Sequence, residues 1–108
     1  MLRKFILFIA ITLFSSTLNA QQSIPNITLK TVNGVKVQSN EFLNQDRFTI
    51  ISFWATWCIP CINELDAINE LYPSWKDKNI DVVAISTDDA RSKKRVRPLV
   101  SGKNWVFE

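Results

Sequence analysis

At 108 residues the chain has room for one domain. Its formal charge of +3 is modest, and Arg3 and Lys4 at the extreme N-terminus supply two of the positive charges, so the balance argues for no nucleic-acid partner. Two cysteines and no histidine exclude a zinc site built from four thiolates and imidazoles.

The N-terminus reads as a secretory leader. A charged start (Arg3, Lys4) precedes an apolar run from Phe5 to Phe14, and a small polar stretch follows, ending at Ala20. The run is too short for a spanning helix, which needs ~20 residues. Cleavage after Ala20 is expected, which makes residues 1–20 a signal peptide and residues 21–108 the domain. The alternative is an uncleaved membrane anchor through residues 5–14. Either way the chain is expected to be periplasmic or otherwise exported.

Beyond the leader, alternating residues flank Asn33-Gly34 and predict a β-hairpin within Ile27 to Gln38. Ser39 to Asn44 predicts a short helical turn capped by Ser39 or Asn40. Phe48 to Trp54 (FTIISFW) is β-branched and aromatic without alternation, as in a strand buried on both faces of a parallel sheet. A helix is predicted after it, because Cys61, Leu65, Ile68, Tyr72 and Trp75 recur at helical spacing; Pro73 predicts its end or a kink near Tyr72. Ile80 to Ser86 (IDVVAIS) predicts a second buried strand. Arg91, Lys93, Lys94, Arg95 and Arg97 then read as a solvated helix face, with Gly102 as its stop. Asn104 to Glu108 has the composition of a beginning strand. Hairpin, strand, helix, strand, helix is α/β in character.

Both cysteines stand in FWATWCIPC, as Cys58 and Cys61. A structural disulfide stabilises more when it closes a longer loop, and this one would close almost nothing. Outside the cytoplasm such a pair persists as a disulfide and exchanges with others. Cys58 follows a strand and opens a helix, where unpaired N–H groups and the helix dipole favour a thiolate, the form that attacks disulfides. Pro60 suits the first helical turn. Cys58 would form a mixed disulfide with a partner, and Cys61 would resolve it. Trp57 and Trp54 would shield the pair and give apolar contact to a bound chain. A covalent haem attachment is excluded because Ile62, not His, follows Cys61. Copper(I) held by the two thiolates is the non-enzymatic alternative. A peroxiredoxin-like peroxidase is a further alternative, disfavoured because residues 51–58 lack the Pro-x-x-x-Thr-x-x-Cys pattern.

FWATWCIPC followed by Glu64 resembles the exported thioredoxin-like thiol–disulfide oxidoreductases of the TlpA/ResA type. The resemblance covers nearly all of Ser23 to Glu108. It implies a thioredoxin-like fold with an N-terminal β-hairpin extension. It also implies that Cys58 is the nucleophile, Cys61 the resolving thiol, and Glu64 a partly buried acid that tunes both, with Trp57 and Pro60 in support. No cofactor or metal is implied. The implied partners are a disulfide-containing protein substrate, such as apocytochrome c before haem attachment, and a membrane thiol electron donor. The uncharged Ile59-Pro60 dipeptide argues for a reductant. Asp66 stands where the family usually has proline. The sequence further reads as truncated, lacking the C-terminal strands, the cis-proline loop and the last helix of that fold. Phe48 to Trp54 is therefore expected to form an exposed apolar edge.

Overall fold

The computed structural model describes residues 1–4, 6, 23–43 and 46–108. Most of the expected leader, residues 1–20, lies outside the described residues. Among the described residues no helix is long and apolar enough to cross a membrane.

The described residues form two small sheets. Strands β1 (Thr28–Lys30) and β2 (Lys36–Gln38) pair antiparallel, with Leu29 opposite Val37. Their connection is closed by the Gly34 N–H to the Thr31 carbonyl at 2.9 Å, and Gly34 takes φ +84°, which glycine adopts at no steric cost. The hairpin thus forms around Asn33-Gly34 as expected. A 3-10 turn, Ser39–Phe42, comes directly after β2.

Gln38 caps that turn, rather than Ser39 or Asn40. Glu41 reaches back to accept the Gln38 N–H at 2.7 Å. Ser39 is buried, and its hydroxyl accepts the Ile27 N–H and donates to the Pro25 carbonyl, so it staples the hairpin instead.

Strands β3 (Phe48–Trp54) and β4 (Ile80–Ser86) form the second sheet and run parallel, paired from Phe48–Ile80 to Trp54–Ser86. Helix α1 (Ile59–Lys76) makes the crossover between them. Trp54, Ile62, Leu65, Ile68, Tyr72 and Val82 form the buried core between helix and sheet. Parallel pairing is as expected, but β3 is not buried on both faces. Phe48 and Ile50 are exposed on one face and Phe53 on the other.

The helix also runs through Pro73 instead of ending near Tyr72. An interior proline costs about 3 kcal/mol through its missing N–H and its ring. Here the ring is exposed, and the apolar stripe continues beyond it, with Tyr72 buried and Trp75 packed on the core. The Ser74 hydroxyl donates to the Leu71 carbonyl at 2.8 Å in the same turn. Helix α1 stops at Asp77, and Asn79 (φ +60°) turns the chain so that its carbonyl accepts the Phe48 N–H. At the same end Arg47 forks onto the Asp81 carboxylate and reaches the Asn79 side chain, fixing where both strands begin.

Beyond β4 a 3-10 turn (Lys93–Arg95) leads into α2 (Val96–Lys103). Pro98 fits because it lies in the first turn, where an N–H has no intrahelical partner. The stop is Asn104 in the left-handed region (φ +53°), not Gly102. Lys93, Lys94, Arg95 and Arg97 are exposed. Residues 104–108 form no strand, yet the Glu108 carbonyl accepts the Ala84 N–H at 2.7 Å.

Candidate redox site

The site grows from the C-terminal ends of two parallel strands. In that register Trp54 lies beside Ser86, so the segments leaving both strands are brought together. Residues 55–57 leave β3, and Cys58 is the N-cap of α1. The Cys58 N–H donates to the Ala55 carbonyl at 3.0 Å, and the Cys58 carbonyl accepts the Ile62 N–H at 3.1 Å. Pro60 lies in the first turn, as predicted.

Cys58 and Cys61 are joined in a disulfide with their α-carbons 5.3 Å apart. Both are half-buried, but only Cys61 packs against the core. Cys61 is the residue expected to resolve the mixed disulfide. Cys58, the N-cap, makes no side-chain cap bond in the disulfide form, but it stands at the helix end whose unpaired amides favour a thiolate once the bond is reduced.

The two tryptophans divide. Trp54 is a core residue, 3% exposed, with its ring edge-on to Trp105 at 5.3 Å. Trp57 is 67% exposed, and Phe53 and Ile59, near the pair in the sequence, are exposed as well. Glu64 is exposed, not partly buried. Successive helical positions turn by about 100°, which puts Glu64 on the flank of the stripe made by Ile62, Leu65, Ile68 and Tyr72. Its carboxylate faces water.

Asp66 has a structural task where the proline was expected. It accepts from Lys103 Nζ at 2.6 Å and from Trp105 Nε1 at 2.8 Å, and these donors hold its carboxyl below the usual range. One helical turn on, the Asn69 side chain accepts the Val106 N–H at 2.8 Å.

Sequence reasoning missed Asp88. Its carboxylate accepts the Thr56 N–H at 2.9 Å, the Thr56 hydroxyl at 2.6 Å and the Ser86 hydroxyl at 2.6 Å. Thr87 adds its N–H and hydroxyl to the Trp54 carbonyl at 2.8 and 3.2 Å. Burial pushes the Asp88 carboxyl up, but bonds from Ser86, Thr56 and Ser92 outweigh it and hold the group at about 2. A polar trio, Ser86-Thr87-Asp88, at the C-terminal end of a strand parallel to the one before the cysteines was the available signal.

A parallel β–α–β unit with a Cys-x-x-Cys pair at the head of its crossover helix defines a thioredoxin-like redox domain. Residues 20–101 match the model of the AhpC/TSA family. The chain belongs to that family. It is 35% identical over 65 residues to the thiol-disulfide oxidoreductase ResA of Bacillus thuringiensis subsp. konkukian, covering 60% of this chain and 36% of that protein. It is 36% identical over 87 residues to the thioredoxin-like protein YneN of Bacillus subtilis, covering 80% of this chain and 49% of the relative. The chain thus spans a third to a half of the length of these curated relatives.

Solved structures agree on the fold. A thioredoxin-like protein from Porphyromonas gingivalis superposes with a TM-score of 0.64 at 39% identity, over 78% of this chain and 56% of that one. A candidate thiol-disulfide oxidoreductase from Bacteroides vulgatus superposes with a TM-score of 0.64 at 28% identity, over 85% of this chain and 58% of the other.

Proposed function

We propose that the chain is a thiol–disulfide oxidoreductase that reduces protein disulfides outside the cytoplasm. The observation that carries this is the Cys58–Cys61 bond at the N-terminus of α1, with both residues half-buried and Cys61 packed on the core. In the reduced protein the Cys58 thiolate attacks one sulfur of a substrate disulfide, and the other sulfur leaves as a thiolate. The Cys61 thiolate then attacks Cys58, the substrate's second sulfur leaves, and the internal bridge closes. Two electrons pass to the substrate. A thiol donor at the membrane returns them by the reverse exchange. Export rests on the leader pattern of residues 1–20, and a substrate such as apocytochrome c comes from the TlpA/ResA resemblance. Glu64 is carried over by the same resemblance as an acid that exchanges protons with the pair from the solvent side.

The test is a redox titration of the chain in dithiothreitol buffers, monitored by tryptophan fluorescence, since Trp57 adjoins Cys58. A single two-electron transition near the reducing end, absent in Cys58→Ser, is expected. A midpoint at the oxidising end would overturn the assignment as a reductant. No transition distinct from that of the urea-unfolded chain would overturn the function. Stoichiometric, tight copper(I) binding by the reduced chain would favour the binding-protein alternative.

A further inference from the structure

We propose that Asp88 is a positioning residue for Cys58, acting through Thr56. The proposal rests on the reading of Cys58 as the attacking thiol and on geometry. Thr56 lies two residues before Cys58, in a segment that belongs to neither β3 nor α1. Asp88 takes both donors of Thr56, the N–H at 2.9 Å and the hydroxyl at 2.6 Å. The carboxylate is itself fixed by the Ser86 hydroxyl at 2.6 Å, and Ser86 Oγ accepts the Asp88 N–H at 3.1 Å. Thr56 is thereby bonded to the end of β4, the strand that pairs with β3 throughout its length.

The segment is tied to the residues after β4 at its start, where the Trp54 carbonyl accepts from Thr87, and it then turns on itself through the Cys58 N–H to the Ala55 carbonyl. Thr56 lies inside that turn, and Asp88 is the side chain that grips it. Bonds to an ionised acceptor are roughly twice as strong as neutral ones, so this is the firmest restraint on the segment. Releasing it lets Cys58 drift from the α1 amides that stabilise its thiolate. The exposed Trp57, between Thr56 and Cys58, would be released with it.

The test is a double-mutant cycle on thiol reactivity. In a Cys61→Ser background Cys58 is the sole thiol, and its rate of alkylation by iodoacetamide is measured against pH for the parent, Asp88→Asn, Thr56→Val and the pair. Asp88→Asn is expected to raise the apparent thiol pKa and slow alkylation at neutral pH by about tenfold, the thiolate fraction that one pKa unit is worth. Thr56→Val, which keeps the carboxylate, is expected to slow it less, and the double variant no more than Asp88→Asn. Unchanged profiles in variants with native circular dichroism would overturn the proposal. So would effects that multiply, or a faster Asp88→Asn protein, which would make the charge rather than the grip on Thr56 the active feature. If Asp88→Asn does not fold, an unchanged Thr56→Val profile overturns it alone. Turnover of insulin disulfides by the chain with both cysteines, measured separately, decides the oxidoreductase reading without deciding this one.

Discussion

A carboxylate that three residues' donors have claimed resists protonation, and Asp88 is the residue where this has a consequence for the whole fold. Its carboxyl is held down at about 2, well below the ordinary carboxylate range. A depressed folded-state value means the folded chain holds the charged form more tightly than the unfolded chain does. The resulting stability is fully present above the unfolded value of about 4 and is lost as pH falls through 2. The melting temperature should therefore decline over that window, and Asp88→Asn should flatten the decline while lowering stability at neutral pH. Asp66 and Asp81 are also depressed, through Lys103 and Arg47, so they contribute to the parent's slope and remain in the variant. An unaltered slope in Asp88→Asn, in a calorimetric series between pH 5 and 2, would show that Asp88 is not a source of the acid sensitivity.

At the scale of elements, α1 anchors the C-terminal segment beyond α2. Asp66 binds Lys103 and Trp105, Asn69 binds the Val106 N–H, and the Trp105 and Phe107 rings stack at 5.6 Å over the core. Glu108 consequently reaches the far edge of β4 and accepts the Ala84 N–H. Asp66→Ala removes two side-chain bonds at a partly exposed site, so its effect on global stability should be about 1 kcal/mol or less. Local opening should respond more. Hydrogen exchange at Val106 and Ala84 should accelerate on the order of tenfold, with the α1 amides around Leu65 unchanged. Equal acceleration throughout would mean that the segment is not a separate unit. Several elements were legible beforehand because their signals are local: β-branched runs for β3 and β4, Asn33-Gly34 for the hairpin, helical spacing from Cys61. The errors arose where a local rule met a tertiary partner. Pro73 is tolerated because packing continues beyond it, and Ser39 is diverted from capping by Ile27 and Pro25. Cys58 and Cys61 were readable from spacing alone. Asp88 was not, because its partner Thr56 is adjacent only once β3 and β4 are in register.

Across the molecule the strand that leads into the redox site also carries exposed apolar side chains. Among the described residues β3 pairs only with β4, and parallel pairing directs alternate backbone groups of β3 to its other edge. Phe48 is 78% exposed and Phe53 66% exposed on the same strand. An apolar edge with unpaired N–H and C=O groups is a template for a second strand, and natural sheets blunt such edges with lysine. The chain should therefore self-associate with rising concentration. Phe48 lies at the end of β3 opposite the cysteines, which allows the edge to be altered without touching the site. Phe48→Lys should reduce association and change stability by no more than about 0.5 kcal/mol, as expected for an exposed position. It should leave the redox midpoint where it was. Sedimentation velocity over a concentration series measures the first, and the dithiothreitol titration the last. If Phe48→Lys sediments like the parent at every concentration, β3 is not the surface through which copies meet.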